Sequence, residues 1–432
     1  MTKMSDFHSF KRALIDCDYM HVTDVASGSR LWLPAAVFVI ESIKRCFREY
    51  HDIAGAEELI LPDLIRREDV RKLDAIYPIS NKYLDVGEFK LAATHEAAFF
   101  SFAKSYISKD LLLDKLFMYN VGKMYRPPKK TNPPFDLGER ACVLEAYLLF
   151  KGPAQPYVDL VKEMYGNIID RCLHIPNIFV IRPRTGNLPF SVRTLSYEAI
   201  LPVKKTLCCG MIYDQGSKFT KQFFNECSEW FSIHSGLTDY SVLSFLFSYF
   251  FEDGFDLPSA FARTQVAVIY DPAEDSTREA AATIVRGLGA RGVRTSMQPA
   301  NHTLSASKNA LFRGARQAIA LHQSRLGSLE IIKYRRGFRE NISLDQAIAT
   351  DPTEDDSGTI AKSLARALAR TTTCRSVAEV GDAVEAGLVA RCQGELSDLE
   401  VKAKEAIPRI GELVGFHPES PSVGYFIYSK RI

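Results

Sequence analysis

The longest apolar run in the chain is Val242–Phe251, ten residues rich in Phe and Leu with no charge among them. Such a run predicts a buried central helix. Gly236 reads as a turn into it, and Glu252-Asp253-Gly254 as its stop. Leu257-Pro258 then starts a short connector, and Val266–Tyr270 is a compact apolar strand that opens a new domain. Upstream, Leu31–Tyr50 places apolar residues at helical spacing, and Glu57–Pro62 (EELILP) reads as a buried strand closed by proline. The stretch Leu116–Phe150 reads as strand, long loop, strand. Tyr157–Cys172 is amphipathic at helical period, and Asn177–Tyr197 reads as strands around a turn at Thr185-Gly186-Asn187. Between Thr264 and Ala349, strands and helices alternate, which implies a small parallel or mixed sheet with helices on its faces. An acidic linker from Asp351 to Gly358 leads to two helices, Ser357–Arg370 and Ser376–Glu385, and to strands at Leu388–Leu396 and Val423–Ile432.

Composition narrows the class. The chain has 432 residues, 46% hydrophobic and 25% charged, enough for two or three domains with sizeable cores. A net charge of +2 gives no global nucleic-acid footprint, and no DNA partner is expected. Nothing at the N-terminus resembles a signal peptide, and no apolar run is long enough to span a bilayer, so no membrane partner is expected. Nine cysteines are scattered without a C-x-x-C, and the adjacent Cys208 and Cys209 are poor partners for each other; a reducing cytoplasm is the natural reading.

Several short motifs carry candidate chemistry. Thr94-His95-Glu96 stands in FKLAATHEAAFFSF; by local rules alone it is a helix N-terminus, with His95 a packed or exposed histidine. Arg126 ends the first strand of Leu116–Phe150, Lys129-Lys130 and Pro134-Phe135 lie in the loop, and Glu145 and Tyr147 lie in the second strand. Arg182-Pro183-Arg184 reads as a solvated basic turn. Gly210–Lys221 is GMIYDQGSKFTK, with Met211, Ile212, Tyr213 and Asp214 after the glycine. Gly236-Leu237-Thr238-Asp239-Tyr240 precedes the central apolar run. Lys333, Arg335, Arg336 and Arg339 follow a strand, as a phosphate-facing patch or as a strand edge that discourages aggregation.

In this order the motifs resemble those of class II prolyl-tRNA synthetases of the archaeal and eukaryotic type, over nearly the whole chain. The resemblance implies an α/β (α+β) fold. It implies that residues 1–262 are the antiparallel-sheet catalytic domain, 263–350 an anticodon-binding-like α/β domain, and 351–432 a linker and small C-terminal α/β domain. It places motif 1, the family's dimer interface, at Leu31–Pro62. It makes Thr94 and Glu96 acceptors for the ammonium of a bound amino acid, which offers three donors and no acceptor. Arg126 and Glu145 become the catalytic pair of motif 2, with the guanidinium bridging carboxylate and α-phosphate. Tyr147, Gly210, Ile212, Gly236 and Tyr240 become pocket residues.

The departures from the family pattern are as informative. Tyr240 stands where motif 3 has the arginine that binds ATP phosphates. Pro128 replaces the glutamate that recognises adenine, and Leu137 and Glu139 replace two loop arginines. Met211 to Asp214 replace a polar Thr-Ser-His-His run, and Tyr147 replaces a pocket histidine. The four-cysteine zinc site of the family's C-terminal domain keeps only Cys392, with Ser397 near the next ligand position, so no metal is expected.

Two readings stay open, and with them whether the chain is an enzyme. In the first it is a paralog that no longer charges tRNA with proline, a homodimer holding an amino-acid-like ligand, with no cofactor. In the second it is a divergent ligase, with ATP and Mg²⁺, that activates an unusual amino acid for a tRNA, a carrier or a small molecule. Tyr240, Lys123 or Lys221 would then replace the missing arginine. Binding of tRNA stays open under both.

Overall fold

The computed structural model describes residues 7–22, 30–110, 112–127, 139–184, 190–203, 205–224, 228–324, 326–399, 402, 412–420 and 422–430. Pro128, Lys129-Lys130, Pro134-Phe135, Leu137 and the turn at Thr185-Gly186-Asn187 lie outside these residues, as does the side chain of Glu139. The chain divides into two compact units. One comprises residues 1–22, 30–42 and 249–365, the other 23–29, 43–248 and 366–432.

The second unit is built on an eleven-stranded sheet. In chain order its strands are β1 (Glu57–Leu59), β2 (Lys115–Tyr125), β3 (Glu139–Lys151), β4 (Asn177–Ile181), β5 (Arg193–Ile200), β6 (Thr206–Gly216), β7 (Trp230–Thr238), β8 (Thr371–Cys374), β9 (Val389–Glu395), β10 (Glu412–Pro418) and β11 (Val423–Ser429). Their order across the sheet is β8-β9-β11-β10-β4-β5-β6-β7-β3-β2-β1. Pairing is antiparallel throughout, except for β8 with β9 and β1 with β2. The long neighbours β2, β3, β7, β6 and β5 form the sheet's centre. The last four strands in the chain, β8 to β11, continue that sheet, with β10 meeting β4 at Phe416–Ile181. Val180, Ile200, Val389, Val414 and Ile427 share one core beneath that join.

Four helices of this unit matter for the site: α1 (Glu96–Ile107), α2 (Gln155–Gly166), α3 (Lys218–Phe223) and α4 (Asp239–Ser248). The helix α4 is the expected central one, with Asp239 and every residue from Ser241 to Ser248 buried. Two of its serines find backbone acceptors: Ser241 Oγ donates to the Cys209 carbonyl at 2.6 Å and Ser248 Oγ to the Ser244 carbonyl at 2.8 Å. On the sheet's other core, Phe99, Phe100, Phe219, Phe223 and Leu149 pack α1 and α3 together.

Several local expectations need correction. Gly236 is not a turn; it lies within β7, opposite Glu145 of β3. The central helix stops at Ser248. Phe250–Phe251 instead pair with Gly254–Phe255 in a hairpin, and Gly254 holds φ +102°, where an added Cβ would meet the Phe312 carbonyl at 2.1 Å. The strand at Glu57 is not buried: Glu57 and Glu58 are exposed, and Ile60 beyond them is 92% exposed. Among the described residues this strand pairs only with β2, in parallel. Cys46 and Cys172 form a disulfide, which their spacing did not suggest.

The first unit carries a five-stranded mixed sheet, ordered Thr295–Pro299, Val266–Tyr270, Gln317–Gln323, Leu329–Arg335, Phe338–Asn341. The first three strands run parallel and the rest antiparallel. Alternation along Val266–Ile269 explains helices on both faces: Val266 and Val268 pack with Ile284 and Leu288, whereas Ala267 and Ile269 pack with Leu311. Three of the four basic residues expected to cluster here are paired within the unit, while Arg339 is exposed. Lys333 reaches Glu354 at 3.2 Å, Arg335 reaches Glu354 at 3.0 Å, and Arg336 reaches Asp253 at 3.0 Å. Among the described residues no helix is long and apolar enough to cross a membrane.

Candidate ligand site

The central strands of the second unit open on a cavity of about 550 Å³. Thr94, Glu96, Arg126, Glu145, Gly210, Gly236 and Tyr240 all line it, so seven of the nine expected site residues come together. Tyr147 and Ile212 do not. The period of two along β6 puts Met211 and Tyr213 on the cavity and turns Ile212, wholly buried, to the other face. Tyr147 stands behind the wall, its ring stacked between Phe99 at 4.2 Å and His234 at 4.8 Å. The two glycines serve packing. A Cβ on Gly210 would lie 2.7 Å from Ile169 Cδ1, and one on Gly236 would lie 3.0 Å from the Leu144 carbonyl.

At the floor of the cavity is a buried acid–imidazole cluster. The Glu96 carboxylate, in the first turn of α1, accepts from the Tyr77 hydroxyl at 2.8 Å and from Gln215 Nε2 at 2.7 Å. Gln215 is held in turn by Ser232 Oγ at 2.9 Å. Glu145 accepts from Thr94 Oγ1 at 3.1 Å and pairs with His95 Nδ1 at 2.7 Å. His234, from β7, lies between the two acids, with Nδ1 3.0 Å from Glu96 and Nε2 3.6 Å from Glu145. Neither ring nitrogen is aligned on an acceptor, so this contact is ionic more than directional. A neutral imidazole would turn a lone pair toward one of two carboxylates. The charged form turns an N–H to each.

Protonation follows from that arrangement. Burial opposes charge on His234, but the Glu96 and Glu145 carboxylates outweigh it and push the ring up to about 9. Burial likewise opposes charge on Glu145, and His234 and His95 reverse it, holding the carboxyl well below its usual range. His95 is raised against burial by Glu145 and Asp63. Burial first and Glu96 second push the Tyr77 and Tyr83 hydroxyls well up, so both remain donors at neutral pH.

The roof is cationic. Arg126 Nε donates to the Ala93 carbonyl at 3.0 Å. Burial first, then the nearby Arg140, lower its basicity. Arg140, from the start of β3, lies with its guanidinium carbon 4.9 Å from the centre of the Tyr240 ring, and its Nε is buried without a partner. Arg182 lines the wall and pairs with Glu198 at 2.5 Å, so the expected solvated turn is instead an anchored buried ion pair. Lys123 and Lys221 do not line the cavity.

Sequence reasoning missed His234, Arg140 and Gln215. A signal existed for His234, two residues before Gly236 and therefore on the same face of one strand. Nothing local marks Arg140, because its role depends on Tyr240, a hundred residues away.

The donor set can hold one anionic group between two guanidinium ions. Among the described lining residues the two carboxylates, Glu96 and Glu145, each already accept from two protein donors.

Comparison with known proteins bears on family and fold. No family model matches the chain. A proline–tRNA ligase of Pyrobaculum aerophilum is 25% identical over 281 residues, 60% of this chain and 57% of that protein. One from Methanothermobacter thermautotrophicus is 23% identical over 315 residues, 68% of this chain and 65% of the relative. The chain thus spans less than two thirds of the length of these relatives. The chain is a homologue of the class II prolyl-tRNA synthetases. Its fold is theirs as well. A prolyl-tRNA synthetase of Cryptosporidium parvum, solved with halofuginone and AMPPNP, superposes with a TM-score of 0.86 at 15% identity, covering 100% of this chain and 98% of that one. One of Giardia lamblia, solved with prolyl-adenylate, gives 0.85 at 17% identity, covering 98% and 97%. The class II synthetase fold expected from the motifs is therefore the one adopted.

Proposed function

We propose that this prolyl-tRNA-synthetase homologue is a paralog that no longer charges tRNA with proline. It uses the cavity to hold a small amino-acid-like carboxylate, for a repurposed reaction or for regulation. The observation that carries this reading is the state of Glu96. Its two oxygens already take Tyr77, Gln215 and the His234 charge, so a substrate ammonium meets a filled acceptor. Tyr240 in place of the motif 3 arginine supports it from the other side. In this reading Arg126 binds the ligand carboxylate, and Glu145 and Thr94 fix the floor. Gly210, Gly236 and Tyr240 shape the wall, with Tyr147 and Ile212 packed behind it. ATP–pyrophosphate exchange with each standard amino acid is the test. We expect no proline-dependent exchange, and exchange at enzyme-like rates with proline overturns the reading.

A second reading, a divergent ATP- and Mg²⁺-dependent ligase for an unusual acid, draws support from one observation. Arg140 brings a second guanidinium to the cavity beside Arg126, so a phosphate oxygen would not meet Tyr240 alone. Exchange driven by any other acid would favour it.

For assembly, we place the chain in the cytoplasm as a homodimer through the motif 1 region. Ile53 and Ile60, 74% and 92% exposed, are apolar groups there that a second copy would cover. Sedimentation equilibrium tests that. Binding of tRNA is disfavoured by the internal pairing of Lys333, Arg335 and Arg336. A salt-dependent gel shift with total tRNA decides it.

A further inference from the structure

The cavity contains its own cation. His234 sits between Glu96 and Glu145, its ring nitrogens 3.0 and 3.6 Å from them, and so already sets a cation against Glu96, the carboxylate that the resemblance gives to a substrate ammonium. Glu145 is held further by His95 and Thr94, and Glu96 by Tyr77 and Gln215. A carboxylate offers about four lone-pair sites, and these donors occupy most of them. The charges facing the cavity are lopsided. Among the described lining residues, Arg126, Arg140, Arg182 and the charged His234 stand against Glu96 and Glu145. Glu198, behind the wall, pairs with Arg182. Arg140 supplies the remaining piece: a guanidinium over the Tyr240 ring, with a buried Nε that no group among the described residues accepts. A buried, unpaired charge-bearing donor is costly unless something binds it, and the chemistry that suits a guanidinium pair is a planar oxyanion.

We infer that the cavity selects a small carboxylic acid that lacks the α-ammonium group, its carboxylate held by Arg126 and Arg140 and its amine position filled by His234. This rests on the reading above that the cavity is a ligand site and narrows its ligand class. Specificity here works by exclusion as much as by attraction: an ammonium entering beside the imidazolium meets a like charge in a desolvated space.

Matched pairs of probes test it, by calorimetry at pH 7.5 without ATP. The pairs are L-proline against cyclopentanecarboxylate and L-phenylalanine against 3-phenylpropionate. Each pair shares its carboxylate and differs mainly in the amine. The wild-type chain is expected to bind the amine-free member at least about tenfold tighter in at least one pair, with the other pair showing no preference for the amino acid. Arg140→Met should weaken that binding by about tenfold or more. His234→Asn, which leaves the two carboxylates without their internal cation, should move the preference toward the amino acid. Tighter binding of either amino acid by the wild-type chain overturns the inference, and so does failure of both amine-free probes to bind it. Proline-dependent pyrophosphate exchange would instead sink the broader reading, so the two failures are distinguishable.

Discussion

The carboxylate of Asp239 accepts the backbone N–H of Cys142 at 2.7 Å and that of Ala141 at 3.3 Å. Asp239 opens α4 and is wholly buried, so this contact fastens the helix start to the beginning of strand β3. It sits between the two residues that make the cavity's roof: Arg140 precedes Ala141, and Tyr240 follows Asp239. The stacking of Arg140 on Tyr240 is thereby set by one backbone clamp. Asp239→Ala would leave two backbone donors without their acceptor. Charge-assisted hydrogen bonds of this kind contribute about 1.5–3 kcal/mol each. We expect a clear fall in the unfolding midpoint together with weakened binding of cyclopentanecarboxylate. A variant with unchanged carboxylate affinity would show that the clamp does not position the roof.

The His234 cluster gives the protein a pH signature. His234 is raised from an ordinary 6.5 to about 9, so its contribution to stability is complete below pH 6.5 and fades as pH rises through about 9. Glu145 is lowered, so its contribution is complete above its ordinary 4.5 and fades as pH falls below that. The groups facing His234 are the Glu96 and Glu145 carboxylates and the rings of Tyr147 and Tyr213. The alkaline loss is on the order of 3 kcal/mol. Urea unfolding between pH 5 and pH 10 should show this decline in the wild type and a flatter profile in His234→Gln. Equal slopes for the two would mean that the imidazolium is not the source.

Much of this architecture is readable in the chain. The apolar run at Val242, the strand–loop–strand around Arg126 and Glu145, and the alternation after Val266 all declare themselves through local period. What local period cannot convey is where strands from distant segments are placed side by side. The extension of the sheet by β8 to β11 is of that kind, as is the meeting of Arg140 with Tyr240. The charge on His234 is another case, because it exists only once Glu96 and Glu145 stand on either side of it. Arg182 shows the reverse error. Flanked by Pro183 and Arg184 it looks like a surface turn, and only its pairing with Glu198 across the β4–β5 register reveals a buried ion pair.

That pair makes its own prediction. Arg182 Nη2 lies 2.5 Å from Glu198 Oε1, and Arg182 Nε donates to Ser196 Oγ at 2.9 Å, which itself donates to Glu198 at 2.7 Å. The side chains are 12% and 1% exposed, so removing one partner strands the other charge away from water. Arg182→Met is expected to cost about 3–5 kcal/mol. Adding Glu198→Leu should recover most of that, because the apolar pair needs no compensation. Urea unfolding of the two variants compares them. If the double variant is no more stable than Arg182→Met, the stranded charge is not the cause of the loss.

The disulfide between Cys46 and Cys172 ties the helix Pro34–Ile53 to the segment after α2, across 126 positions of sequence. Closing a loop of that length restricts the unfolded chain and stabilises the fold by up to about 4–5 kcal/mol on an entropic account. Isolated from an oxidising preparation, the protein should yield a Cys46–Cys172 cross-linked peptide on non-reducing digestion. Dithiothreitol should lower its unfolding midpoint, and the Cys46→Ser, Cys172→Ser double variant should match the reduced protein and lose its response to the reductant. In a reducing cytoplasm the same two positions would be thiols, so the reduced midpoint is the relevant one for a cytoplasmic protein. A midpoint that dithiothreitol leaves unmoved would mean that the second unit does not depend on the cross-link.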